Sequence, residues 1–206
     1  MFKFKFFIFL MAFASAFVLL ITLSACSTPE ENFSRYLEQG LKSFEENNFD
    51  EARIFFSNAL QIYPDHALAN FHLAEIYMNQ GEVGPAFQLY QKALNADPEH
   101  VQAALRIAVI YFLGNRPEEG LDMSNKALEI EPDNVQGLLI NARILAGRGE
   151  LNAALKQAQR AIDLEPENIQ ARLFLGRLYM AHRDYQKAEQ VLVQAVKLDE
   201  NSAQAG

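Results

Sequence analysis

The chain has one cysteine, no tryptophan and a deficit of positive charge, with 18 Lys plus Arg against 26 Asp plus Glu. Each shortage excludes something. One cysteine cannot form an intramolecular disulfide framework or a Cys-based zinc or iron-sulfur site, so an exported form would have to hold its core without covalent staples. A formal net charge of −8, with no basic patch, argues against nucleic acid as the main partner, because phosphate binding is driven by Lys and Arg releasing counterions. Catalytic signatures are missing as well: there is no HExxH, no GxSxG, no GxxxxGK[ST] and no Gly-rich loop after a strand. The four histidines, His66, His72, His100 and His182, have no ligand spacing, and His66 and His100 read as surface turn residues. No enzyme, metal or cofactor is expected. A length of 206 residues suits one or two domains.

Residues 1–25 are a different material, holding seven of the sixteen Phe, two Lys and no acidic side chain. Lys3 and Lys5 make a positive start, and residues 6–23 form an apolar run broken only by Ser15 and Thr22. That is the form of a secretory signal, although a run of 18 residues also has the length of an uncleaved membrane anchor. In both cases the lysines stay inside and the remainder is exported. Leu23, Ser24, Ala25 and Cys26 resemble the bacterial lipobox, whose cysteine receives diacylglycerol before cleavage leaves it as the mature N-terminus. The resemblance implies a signal peptide over 1–25, lipidation at Cys26, and a lipidated N-terminus and tether over 26–32. Cleavage would remove two lysines and no acid. Anionic lipid would then not hold the chain, and attachment falls to acyl chains, of which two or more suffice. Residues 27–32 reach at most about 20 Å when extended, which sets the folded part near the bilayer. Ser27 follows the cysteine. In the lipoproteins this resembles, Asp there favours the inner membrane, so Ser leans towards the outer membrane, facing the periplasm.

Past residue 32 the chain repeats itself. Pro64, Pro98, Pro132 and Pro166 are 34 residues apart, and Ala59, Ala93, Ala127, Ala161 and Ala195 keep the same step. Five units fit without insertion: 33–66, 67–100, 101–134, 135–168 and 169–202, with 203–206 reading as the start of a further repeat. Small residues recur at position 8 (Gly40, Ala74, Ala108, Ala142, Gly176) and position 20 (Ala52, Ala86, Gly120, Ala154, Ala188). Larger ones stand at position 11 (Tyr77, Tyr111, Leu145, Tyr179) and position 24 (Phe56, Tyr90, Leu192). This pattern resembles the tetratricopeptide repeat family. The resemblance implies helix A over positions 1–14, helix B over about 18–31, and an all-α, right-handed superhelical solenoid of five helix-turn-helix repeats. Proline at position 32 ends helix B, and Asn134, Asn168 and Ser202 are placed to cap the next helix. At position 7, otherwise apolar, stand Gln39, expected as a polar outer cap, and Asn141, which must find hydrogen-bond partners if buried.

In this family helix A lines a concave groove through positions 2, 5, 6, 9, 12 and 13. Carried over repeat by repeat, the first contributes Leu37, Leu41 and Phe44, and the second Phe71, Glu75, Met78 and Asn79. The third contributes Gln102, Leu105, Arg106, Val109 and Phe112. The last two contribute Gln136, Leu139, Arg143, Gln170, Leu173, Arg177 and Met180. The groove is expected to be apolar at one end and basic at the other. Arg106, Arg143 and Arg177 would pair with carboxylates of a bound segment, while Phe and Met cover its apolar side chains. The alternative is that the aromatics are partly core and the arginines a solvated face. Position 5 is always Leu or Phe and position 9 never Asn, so the Lys and Asn clamp with which some members hold a chaperone's C-terminal carboxylate is absent.

The implied function is a membrane-anchored scaffold, with protein partners of the cell envelope, for a secretion, pilus or exopolysaccharide-export complex. The chain resembles, in the order of its parts, the pilotins of type IV pili or the large repeat lipoproteins of surface-sorting and exopolysaccharide systems. The alternative is a self-associating structural or regulatory protein with no external peptide ligand. Repeat arrays need a polar final face, so Val191, Leu192, Ala195 and Leu198 are expected to be an exposed apolar face of the last helix, covered by further repeats, a partner or a second copy.

Overall fold

The computed structural model describes residues 28–205. Cys26 and the targeting segment lie outside the described residues. The chain divides after Pro64 into two compact units, and no strand occurs among the described residues.

The first unit pairs helix α1 (Pro29–Glu45) with α2 (Phe49–Ile62). Helix α1 begins before the expected start at Phe33, because Thr28 and Glu31 form a reciprocal capping box. The Thr28 hydroxyl accepts from the Glu31 N–H at 3.1 Å, and the Glu31 carboxylate accepts from the Thr28 N–H at 2.9 Å. Pro29 occupies the first turn, where a missing donor costs nothing. Residues 29–32 are therefore helix and not an extended tether, because the capping box starts the helix at Pro29. Between the two helices, a Cβ at Gly40 would lie 2.8 Å from the ring of Phe56. Glycine is what allows the fully buried Phe56 to lie against α1.

The second unit comprises α3 (Ala67–Asn79), α4 (Val83–Ala96), α5 (Val101–Leu113), α6 (Pro117–Ile130), α7 (Val135–Gly147), α8 (Leu151–Leu164), α9 (Ile169–Ala181) and α10 (Tyr185–Ala205). They pack as the hairpins α3–α4, α5–α6, α7–α8 and α9–α10, each stacked on the next through α4–α5, α6–α7 and α8–α9. The cores belong to these seams. Ala74, Ala86 and Tyr90 pack with Ile107 of the following pair. Val101, Leu105 and Ala127 pack with Ile140 and Ile144, and Ala154, Ala158 and Ile162 with Ala171 and Leu175. One pair alone cannot cover its apolar faces, so its stability is shared with its neighbours.

Two kinds of turn alternate. Between pairs, the residue before proline is extended, with φ of −133° at Asp97, −122° at Glu131 and −124° at Glu165, because the proline ring bars the α region to its predecessor. The next helix then starts on a side-chain cap. Asn134 and Asn168 accept the Gly137 and Ala171 N–H groups at 2.8 and 2.9 Å. His66 and His100 do the same through Nδ1 for Ala69 and Ala103, at 3.3 and 3.4 Å. Within pairs, the chain reverses through one left-handed residue, at φ values from 59° to 83°: Asn47, Gly81, Asn115, Gly149 and Arg183. These too keep the repeat step.

At the far end, α10 runs on to Ala205. Glu200 stands where the other repeats have proline, so 201–205 continue this helix and do not open a new one. Asn141, 1% exposed, is satisfied locally: its Nδ2 donates to Ser124 Oγ at 2.9 Å and to Asn125 Oδ1 at 2.8 Å.

Candidate partner-binding groove

Helices α5, α7 and α9 place a line of side chains on one surface of the second unit. Arg106, Val109, Gln136, Leu139, Arg143 and Gln170, with Val135, Ile140, Glu165 and Asn168, surround an open depression of about 480 Å³. A second, smaller one of about 200 Å³ adjoins it through Val109, Ile140 and Arg143, and adds Phe112, Leu113 and Ile144. The two make one groove, polar beside Gln136 and Gln170 and apolar beside Leu113, whose side chain is 75% exposed. Seven of the expected groove residues thus meet: Arg106, Val109, Phe112, Gln136, Leu139, Arg143 and Gln170. Leu113 and Ile140 were not anticipated. Leu113 ends helix A at position 13, where the family pattern points, and its exposure could have been read from that register.

The three arginines have different environments. Arg106 is committed to Glu75: its Nε and Nη2 donate to the two carboxylate oxygens, both at 2.7 Å, a bidentate arrangement that is strong and directional. Tyr90 adds a short hydrogen bond from its phenol to Glu75 Oε1. Burial, reinforced by the carboxylate, pushes the Tyr90 phenol well above its usual range. Glu75 sits on α3, Tyr90 on α4 and Arg106 on α5, so the trio staples one pair to the next. Glu75 and Arg106, both expected in the groove, thus spend their charges largely on each other, although Arg106 still lines the depression. Arg143 is different. Its guanidinium lies over the Phe174 ring at 5.5 Å, a contact that leaves its hydrogen-bonding edge open, and it has no carboxylate partner among the described residues. Arg177 on α9 is exposed, and it too lacks an acidic partner among the described residues.

The apolar end of the expected site is largely core. Phe71 stacks near Tyr90 and His100, with ring centroids 5.7 and 4.8 Å apart, and Met78 packs beside it on the cluster of Ala74, Ala86 and Ile107. Leu105 is fully buried. Gln102 is half-buried and lines neither depression. Phe112 serves twice: it lines the groove and also fills the space above Gly147, where a Cβ would approach its ring to 2.6 Å. Leu37 and Phe44 belong to the first unit, where Phe44 packs edge-on against Phe49 at 5.4 Å.

Met180 lies elsewhere. With Tyr185, Ala188, Glu189, Leu192, Val193, Val196 and Lys197 it lines a shallow depression of about 640 Å³ on α10. The expected outer face of that helix is also corrected. Ala195 is 1% exposed, Val191 packs against the core of α7 to α9, and Leu192 seats on Gly176, where a Cβ would come within 2.5 Å of its side chain. Among the described residues no group of three or more His, Cys, Asp or Glu is placed to hold a metal ion.

A family described as tetratricopeptide repeat matches residues 43–86, 84–144 and 145–206. No curated protein matches the chain. Among solved structures it is similar to the MamA protein, at 19% identity over 85% of this chain and 96% of that one, with a TM-score of 0.71. It is also similar to pilF of Pseudomonas aeruginosa, at 20% identity over 82% of this chain and 77% of that one, with a TM-score of 0.72. A third is YrrB, described as a TPR protein with an unusual peptide-binding site, at 21% identity over 79% and 84% of the two chains and a TM-score of 0.66. At these identities the likeness is one of fold.

Proposed function

Because the chain belongs to the tetratricopeptide repeat family, whose helix pairs serve as protein-protein interaction scaffolds, we propose that it is a lipid-anchored scaffold of the bacterial envelope whose second unit binds a segment of another envelope protein. The observation that carries the binding half is Arg143: a guanidinium held by Phe174 without a carboxylate partner among the described residues, beside the exposed Leu113 and the edge of Phe112. An extended or helical segment with acidic and apolar side chains fits such a surface, the charge giving orientation and the apolar wall giving area. The peptide-binding site named for YrrB supports the use of this fold in that way. The anchoring half rests on the sequence from Lys3 to the lipobox at Cys26, and on Ser27 for the outer membrane. With α1 capped at Thr28, the acyl chains would be carried almost directly on a helix end, giving the folded part little freedom from the membrane surface.

The anchor is tested by metabolic labelling with a fatty acid analogue and by membrane fractionation. Wild type takes up label and sediments with the outer membrane, whereas Cys26→Ala takes up none and accumulates as the uncleaved precursor. Equal labelling of the two would refute lipidation at this residue. Partner binding is read separately, by affinity capture from envelope extracts with and without charge reversal at Arg143 and Arg177.

A further inference from the structure

Helix α10 presents an outer surface unlike that of the corresponding helices before it in the second unit. In α4, α6 and α8 the fifth residue is Phe87, Leu121 or Leu155, each half-buried against a hydrophobic cluster. The ninth is exposed and polar, Gln91, Asn125 or Gln159, and the thirteenth is Asn95, Glu129 or Asp163. Helix α10 inverts all three, with Glu189, Val193 and Lys197. A further pair stacked in the manner of these three would partly bury the Glu189 carboxylate where they half-bury Phe or Leu, a desolvation cost that no ionic partner among the described residues offsets. The surface is nevertheless apolar: Met180 is 51% exposed, Tyr185 66%, Val193 46% and Val196 55%. Glu189 and Lys197 border it, and neither has an ionic partner among the described residues.

We propose that this face binds the same face of a second copy of the chain, the two α10 helices running antiparallel about a two-fold axis at Val193. A two-fold interface must be self-complementary, and this face is. Glu189 and Lys197 are each four residues from Val193, about 6 Å along the helix at 1.5 Å per residue. An antiparallel pair centred there sets each carboxylate level with the ammonium of the other copy, twice over, while Val193 and Val196 meet across the seam. The inversion of residue type is then explained at every position: a valine where two helices must touch, and opposite charges where they must align. Such a contact uses none of the residues around Arg143 and is independent of groove binding.

The test uses the full chain in nonionic detergent, by sedimentation equilibrium at matched solvent density. Wild type is expected to be a reversible dimer. Glu189→Lys and Lys197→Glu should each weaken it by about tenfold, because symmetry turns two attractions into two repulsions. The double variant E189K/K197E restores both pairs and should return the dimerisation constant to within roughly threefold of wild type, the mark of direct coupling. Val196→Glu should leave a monomer, and Arg143→Glu should leave the dimer intact. All of these positions are exposed, and unchanged melting curves would show that the variants fold. A wild-type chain that stays monomeric at every concentration, a dimer indifferent to Val196→Glu, or a double variant no better than the two single ones combined would each overturn the proposal.

Discussion

Arg106 and Arg143 stand on the same groove, on neighbouring helix pairs, yet the fold uses one and leaves the other. Arg106 is clamped by Glu75, which also accepts the Tyr90 phenol. Arg143 has only a ring beneath it. The end of the groove near α3 has its polar groups satisfied and its aromatics, Phe71 among them, packed into a core, so its chemistry is structural. The side formed by α7 and α9 keeps unpaired cations, and the exposed Leu113 at the end of α5 adjoins Arg143 there. A side chain's place in the repeat tells where it points; whether it is available depends on what the adjacent repeat sets opposite it.

The largest effect separating the two ends should come from Glu75→Ala, which leaves a buried phenol without an acceptor and a guanidinium without its carboxylate. We expect a loss of about 2–3 kcal/mol in chemical denaturation, and a loss below about 0.5 kcal/mol would show that the staple is ornamental. Arg183 is also a residue whose local conformation is dictated by the fold, sitting at φ of 64° where two other turns have glycine. Arg183→Gly should stabilise the protein by about 1 kcal/mol, by removing the left-handed strain that a Cβ imposes at this φ. A smaller effect concerns His66, whose Nδ1 caps α3 only when neutral. Burial lowers its pKa below the ordinary 6.5. The neutral form is thus favoured by folding, and its contribution is complete above the unfolded value and lost as pH falls through the folded one. Wild type should therefore lose more of its melting temperature on acidification below about pH 6.5 than His66→Asn, which keeps a cap without the titration; parallel curves would remove the cap from the account. Smallest of all, Arg143→Ala should change stability by no more than about 0.5 kcal/mol, the counterpart to Glu75→Ala at the other end of the groove.

Much of the fold was legible because proline and small residues act locally. Proline at the repeat step ends a helix whatever surrounds it, and an alanine or glycine at positions 8 and 20 marks a helix crossing. The start of α1 was legible too and was missed: Thr28, Pro29 and Glu31 spell a capping box, but they lie in a stretch assigned to the tether. The left-handed turns at Asn47, Gly81, Asn115, Gly149 and Arg183 hid behind their mixed identities. His66 and His100 looked like turn decoration because a histidine cap depends on which ring nitrogen faces the helix. The candidate site was less readable. Glu75 and Arg106 are 31 residues apart, at different positions of successive repeats, and only the stacking of one helix pair on the next brings them together. Likewise Ala195 and Val191 turn inward while Val193 and Val196 turn outward, a rotation that an apolar run with valine on both faces does not disclose.

The most direct measurement is the capture of envelope proteins by the double variant Arg143→Glu/Arg177→Glu against wild type and against Arg106→Gln, all checked for unchanged secondary structure. The double reversal is expected to lose a captured protein that wild type retains, with a binding penalty of several tenths to about a few kcal/mol. Arg106→Gln, in contrast, should lower stability while retaining that partner. Identical capture by the folded double variant and wild type, or loss of the partner in Arg106→Gln alone, would contradict the assignment of binding to the Arg143 end of the groove.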